Sequence, residues 1–403
     1  MLISIAVILL SGLLLGALCQ KIRFPSLFGM IVAGIIIGPY ALNLIDSSIM
    51  SVSAEIRRIA LIIILIRAGL KLDMSDLKKV GRPAVLMCFV PACFEMIGMT
   101  MLASVCFGIN RLDAAILGAV VGAVSPAVIV PRMIRLIDEG YGTKQGIPQM
   151  ILAGASVDDV FVIVMFSAFI EVAQGKDLSP ASLFLDIPSS LILGIMMGFM
   201  TGFVLFKWYS KIKMNPLLMT MVLLAVSFIL SAVETEQSII PFASLIAIMC
   251  VGMVVKKADS SMARILSEQY DKLWIVAEIF LFVLVGASVA VDHARDAGLK
   301  AVILIVLVLS FRMLGVFICV LGTKLNLKEK IFCMIAYTPK ATVQAAIGGV
   351  PLAIGLPSGD VILTVAVVSI LLTAPLGAFG IDLTYRKCLQ KDDMPKVLNP
   401  KEK

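Results

Sequence analysis

The stretch AGASVDDVFVIVMFSAF, residues 153–169, decides what kind of fold this chain has. It is apolar enough for a membrane-spanning helix, yet Asp158 and Asp159 stand side by side near its middle. An acid at the centre of a bilayer costs at least about 2.5 kcal/mol on insertion scales. Two adjacent acids at that depth point first to an ion pathway and only second to acids that are simply neutralised by buried bases.

The composition of the whole chain also indicates a membrane protein. Of its 403 residues, 60% are hydrophobic and 15% are charged, whereas a soluble domain carries about 25% charged residues. Long apolar runs recur along the whole length, which predicts an all-α polytopic membrane protein. The single histidine excludes a histidine relay or a histidine metal cluster within one chain, so proton chemistry would use carboxylates and lysines.

We predict thirteen transmembrane helices in one transporter unit, residues 1–403, with a cytoplasmic tail at 386–403. The first is interpreted as a retained helix, because residues 1–20 show no basic segment or cleavage site of a signal peptide. The helices are expected at residues 2–19, 25–38, 54–70, 83–107, 113–134, 148–172, 182–208, 215–233, 238–255, 272–291, 299–322, 329–352 and 360–384.

The basic residues orient these helices. Of the 34 Lys and Arg, 25 fall after odd-numbered helices or in the tail and six after even-numbered ones, with Arg67, Arg312 and Lys340 inside helices. By the positive-inside rule the N-terminus is outside and the C-terminus is cytoplasmic. The net charge of +7 therefore requires no nucleic-acid partner.

Two hydroxyl–proline pairs suggest an inverted repeat. Ser125-Pro126 lies in the fifth helix and Thr338-Pro339 in the twelfth, 213 residues later. A single mid-helix proline is usually only a kink. A pair at equivalent places in two halves favours two interrupted helices, whose ends would present partial charges of both signs at mid-membrane.

The buried charges can be paired from their positions. Glu95 and Arg312 lie on equivalent helices and are expected to form a structural ion pair. Lys340 follows the second break and could reach one aspartate. Since successive helix residues point about 100° apart, one base cannot serve both acids equally. We expect Asp158 to be the partnered acid and Asp159 the unpartnered one.

An unpartnered carboxylate in a low-dielectric site can be relieved by a proton or by a small cation. Competition between the two for Asp159 would be an exchange mechanism. Hard cations such as Na⁺ or Li⁺ prefer oxygen ligands. Asp159, Asp158, Ser125 and a freed carbonyl near Ser125 or Thr338 could supply them.

Four stretches carry a resemblance to a known family. The chain resembles the monovalent cation:proton antiporters of the sodium/proton exchanger superfamily, on the branch of animal sodium(lithium)/proton antiporters and their bacterial relatives. The stretches are LIRAGLKLD (65–73), GAVVGAVSPAVIVPRMI (118–134), GYGTKQGIPQMILAGASVDDV (140–160) and NLKEKIFCMIAYTPKATVQAAIG (326–348).

The resemblance implies a homodimeric antiporter fold with two crossing interrupted helices and an elevator-like core. The core would comprise mainly residues 83–172 and 299–384, and the dimerisation scaffold mainly 1–70 and 182–291. Asp158 and Asp159 match the family's paired-acid motif, Asp159 being the main carrier. Arg312 matches the core basic position, which electrogenic members fill with lysine. Because arginine does not release its proton, one-for-one exchange is expected unless Lys340 or Asp158 takes the place of a titrating lysine.

Other functions remain open at this level. On the same fold the substrate could be K⁺ exchanged for H⁺, or an organic anion carried with H⁺. A pH-gated channel would use the same buried acids. No enzyme chemistry and no cofactor are expected, only transported Na⁺ or Li⁺ and H⁺, membrane lipid around the helices, and a location in the cell membrane.

Overall fold

The computed structural model describes residues 1–22, 24–71, 81–174, 180–211, 215–236, 242–289 and 291–391. This part of the chain is mostly helical, and its one β-type contact is an isolated bridge between Tyr141 and Lys391. The helices are α1 (Leu2–Lys21), α2 (Ser26–Ile37), α3 (Ser47–Ser51), α4 (Ser53–Lys71), α5 (Arg82–Met87), α6 (Val90–Phe107), α7 (Arg111–Val121), α8 (Pro126–Glu139), α9 (Ile147–Ala173), α10 (Pro180–Lys211), α11 (Pro216–Glu236), α12 (Ser244–Ala258), α13 (Ser260–Ala287), α14 (Val291–Cys319), α15 (Leu327–Ala336), α16 (Thr342–Ile347), α17 (Val350–Ala353) and α18 (Gly359–Cys388).

The described helices are those of a multi-pass membrane protein. Eight stretches in the described residues are long and apolar enough to cross a bilayer. Two shorter apolar helical stretches, 26–37 and 342–353, accompany them. The count of thirteen transmembrane helices stays a prediction, and the predicted cytoplasmic tail lies outside the described residues from position 392 onward.

Several helix boundaries differ from the predicted ones for local reasons. The predicted helix 272–291 begins twelve positions earlier, at Ser260. Its N-terminus is capped by Asp259, whose carboxylate accepts the backbone N–H groups of Ser261 and Met262 at 2.8 and 3.0 Å. The predicted helix 83–107 is divided into α5 and α6, since Pro91 in the first turn of α6 has no N–H to continue the preceding helix.

Close backbone contact joins α2 and α13, and glycine permits it. A side chain at Gly34 would collide with the backbone of Val283, and one at Gly286 with the backbone of Ile31. Small residues at helix crossings allow this close approach in membrane proteins. A similar crossing of Gly69 on Met249 joins α4 to α12.

A second set of helices surrounds the paired acids. Helix α9, which carries them, packs against α5, α7 and α8, and α14 packs along α6. Helix α18 packs against both α14 and α15. The two interrupted stretches, α7–α8 and α15–α16, are thereby brought against α9 and α14.

Candidate functional site

Two helices are interrupted where the hydroxyl–proline pairs stand. Helix α7 ends at Val121 and α8 starts at Pro126, which occupies the first helical position, where its missing N–H costs nothing. Helix α15 ends at Ala336 and α16 starts at Thr342, so that Thr338 and Pro339 lie in the connection between them. The two breaks touch, because the N–H of Ser125 donates to the carbonyl of Pro339 at 2.7 Å.

Asp158 is tied into the first break. Its Oδ2 accepts the N–H of Val124 at 2.7 Å and a guanidinium N–H of Arg312 at 3.0 Å. The side chains of Asp158 and Arg312 are both 0% exposed. A buried carboxylate held by a cation and a backbone N–H is stabilised in its ionised form within the protein. Asp158 is therefore the partnered acid of the two.

Asp159 is in a different situation one residue later. Its Oδ1 is buried and has no hydrogen-bond partner in the described part of the chain. The ion pairs formed there by Arg312 and Lys340 go to other carboxylates. Unlike Asp158, the residue keeps some accessible surface. The structure thus leaves one carboxylate of the pair without a fixed partner, on a residue that is not fully buried.

Glu95 is shared between two bases. One carboxylate oxygen accepts Arg312 Nη1 and Lys340 Nζ, each at 2.7 Å, and all three side chains are at most 1% exposed. The expected Glu95–Arg312 pair is confirmed. The expectation that Lys340 reaches an aspartate is wrong: Lys340 bonds Glu95, while the second arm of Arg312 takes Asp158.

Arg312 can bond two carboxylates at once because its guanidinium is a planar group with five N–H donors. Beyond the two carboxylates, its Nε donates to the Tyr337 carbonyl at 2.7 Å and its Nη1 contacts the Gly122 carbonyl. One side chain therefore joins Glu95, Asp158 and both helix breaks. A lysine at this position could not span these acceptors.

A glutamine that the sequence analysis did not single out also links the breaks. The amide Nε2 of Gln344 donates to the carbonyls of Ala123 and Val121 at 2.8 and 3.3 Å. Its Oε1 accepts the N–H of Ala341 at 2.8 Å. In the sequence, the one feature that could have indicated this role is an amide side chain within an apolar stretch, four residues after Lys340.

Two hydroxyl oxygens near the breaks are buried without partners. Ser125 is 0% exposed and Thr342 is 2% exposed, and neither Oγ has a hydrogen-bond partner among the described residues. Thr342 was missed in the sequence analysis. Carboxylate, hydroxyl and carbonyl oxygens are the ligands that hard cations prefer. The paired acids and the breaks together offer such oxygens in one region.

Comparisons with known proteins show which family the chain matches. A family model described as "Sodium/hydrogen exchanger, transmembrane" matches residues 5–386. Sodium/hydrogen exchanger 9B2 of Mus musculus is 32% identical over 402 residues, covering 94% of this chain and 72% of that protein. Sodium/hydrogen exchanger 9B1 of Homo sapiens is 30% identical, covering 98% and 80%.

A solved structure shows the same fold. The sodium proton antiporter MjNhaP1 from Methanocaldococcus jannaschii superposes with a TM-score of 0.84, covering 95% of this chain and 97% of that one. The sequence identity is 20%, so this likeness concerns the fold alone. The overall arrangement of helices is thus one that a solved structure already shows.

Proposed function

Because this chain belongs to the sodium/hydrogen exchanger family, whose members are transporters and not enzymes, we propose that it exchanges Na⁺ or Li⁺ for H⁺ at Asp159. Family membership supports cation/proton antiport in general. The carboxylate of Asp159, which has no ion-pair partner, next to Asp158, whose Oδ2 is held by Arg312 and Val124, is the observation that carries the finer proposal.

Proton and cation compete for Asp159 because each removes the same penalty. An ionised carboxylate without a partner in a low-dielectric site costs several kcal/mol. A bound proton neutralises it, and a bound cation compensates it. The two ligands exclude each other, so release of one to one side allows uptake of the other. Ser125 and Asp158 complete the proposed cation ligands, together with a carbonyl at either break.

The charges around Asp159 favour one-for-one exchange. Glu95 and Asp158 contribute two negative charges, and Arg312 and Lys340 contribute two positive ones. If all four groups keep these charges through the cycle, Asp159 is the one group that alternates between protonated and cation-bound forms. Each cycle then moves one cation against one proton, with no net charge.

Alternating access is proposed to follow the division expected from the sequence. Residues 83–172 and 299–384 would move as the core against a scaffold of residues 1–70 and 182–291, in a homodimer in the cell membrane. Arg57 on α4 lies against Gly349, between α16 and α17, so that the proposed scaffold meets the proposed core next to an interrupted helix.

Proteoliposomes test the proposal. With an imposed pH gradient, added Na⁺ or Li⁺ should dissipate the gradient with saturation, and imposed voltage should leave the rate unchanged. Asp159→Asn should abolish the flux while the protein remains folded. Strong Na⁺-dependent flux in that variant would refute the carrier role. Flux with K⁺ alone, with an organic anion, or without proton counterflow would instead indicate the corresponding alternative activity.

A further inference from the structure

The carbonyls exposed by the two helix breaks are divided between hydrogen-bonded and free ones. In the first break, Gln344 donates hydrogen bonds to the carbonyls of Val121 and Ala123, and Arg312 donates one to the carbonyl of Gly122. Among the hydrogen bonds of the described residues, none reaches the carbonyl of Val124. Freed backbone carbonyls in a membrane must be satisfied by protein, water or a bound ion.

The second break shows the same division. The carbonyl of Tyr337 accepts from Arg312, and that of Pro339 accepts from the N–H of Ser125. No hydrogen bond from a described residue reaches the carbonyl of Thr338, which lies between them. The carbonyl of Lys340 also receives no hydrogen bond from a described residue, so the first break keeps one carbonyl free and the second keeps two.

We propose that Gln344 is a positioning residue that decides which backbone carbonyls face the cation and thereby sets the discrimination between Na⁺, Li⁺ and K⁺. The inference rests on the proposed cation exchange and deepens it. Gln344 is 1% exposed and forms no contact with Asp158 or Asp159 among its described hydrogen bonds. Its effect on the cation would pass through the backbone.

An amide is suited to this position by its chemistry. Its NH₂ donates to two carbonyls while its oxygen accepts one N–H, so a single side chain fixes the end of α7 to the start of α16. Selectivity between hard cations depends on cavity size, ligand number and flexibility. With Gln344 in place, the spacing between the free carbonyls of Val124 and Thr338 is held. Without it, the carbonyls of Val121 and Ala123 become available and the ligand set loosens.

The experiment measures cation preference and not activity alone. Gln344→Met keeps the length of the side chain and removes all three hydrogen bonds, and Gln344→Asn keeps the amide but shortens its reach. Proteoliposome flux gives KM and Vmax for Na⁺, Li⁺ and K⁺, and a thermal melt reports folding. We expect the ratio of KM for Li⁺ to KM for Na⁺ to change by at least about threefold in both variants, with K⁺ flux rising.

A matched control separates this effect from loss of stability. Tyr270→Phe removes a buried hydroxyl on α13 that donates to the backbone carbonyl of Thr220 on α11, away from the breaks. It should lower thermal stability and Vmax with the KM ratio unchanged. If the Gln344 variants behave like this control, the positioning role is refuted. If the parent shows no cation-dependent proton flux, the proposed function itself fails, which is a distinguishable result.

Discussion

Neutralising Glu95 should destabilise the protein more than any exposed acid could. Glu95→Gln keeps the size of the side chain but withdraws the charge that Arg312 and Lys340 share. Arg312 retains Asp158, whereas the ion pair of Lys340 is lost altogether. Removing one partner of a buried pair costs about 3–5 kcal/mol, because the other charge is left in a low-dielectric interior. For a chain of this size, that corresponds to a fall in melting temperature of about 4–6 °C.

The assay is a thermal melt of the purified protein in detergent, with two comparison variants. Glu268→Gln changes an acid whose side chain is 61% exposed beside Arg264, and should alter stability by no more than about 1 kcal/mol. Glu95→Gln combined with Lys340→Met removes one negative and one positive charge together. Since neutral replacement of a buried pair is often tolerated, the double variant should melt above Glu95→Gln alone.

Two results would refute this reasoning. One is a Glu95→Gln protein that melts with the parent, which would mean that Glu95 is not the charge partner of Lys340. The other is a double variant whose loss equals the sum of the losses of Glu95→Gln and of Lys340→Met, each measured alone, which would mean that the two side chains do not interact.

Three further predictions concern single side chains. Asp158→Asn should keep measurable exchange but raise the KM for Na⁺ by about tenfold, because the charge of Arg312 then repels the cation; an unchanged KM would contradict the charge balance. Ser125→Ala should leave the melting temperature within about 2 °C of the parent, since its buried hydroxyl has no partner to lose, while weakening Na⁺ binding; the reverse pattern would make the hydroxyl structural. Hydrogen bonding from Ser261 lowers the pKa of Asp259. The helix cap that Asp259 forms, worth about 0.5–2 kcal/mol, should therefore stabilise the protein above the ordinary carboxyl range and be lost as pH falls through the lowered pKa. The melting temperatures of Asp259→Ala and the parent should differ at pH 7 and converge in acid, and a difference that does not narrow would count against the cap.

The paired acids and the breaks could be predicted from the sequence because their signals are local. Asp158 and Asp159 stand out against apolar neighbours, and a proline that follows a hydroxyl residue marks a backbone that cannot continue as a regular helix. The pairing of Glu95 with Arg312 followed from their equivalent places in the two halves. Each inference needed only residue type and spacing.

The remaining partners could not be predicted, since they depend on how far side chains reach in three dimensions. Arg312 contacts Glu95 and Asp158 at once, which leaves Lys340 to Glu95 and not to an aspartate. Gln344 lies in an apolar stretch with no charge to attract attention, yet it holds carbonyls more than two hundred positions away. Such contacts form only because the two helix breaks pack against each other, and the spacing of residues along the sequence does not reveal them.

Competition at Asp159 has a direct kinetic consequence. In proteoliposomes, the apparent KM for Na⁺ should rise by about tenfold for each unit fall in pH once Asp159 is mostly protonated, with Vmax unchanged at saturating Na⁺. In Asp158→Asn the same slope should persist. A KM that is independent of pH, with the effect appearing in Vmax alone, would show that proton and cation do not bind the same carboxylate.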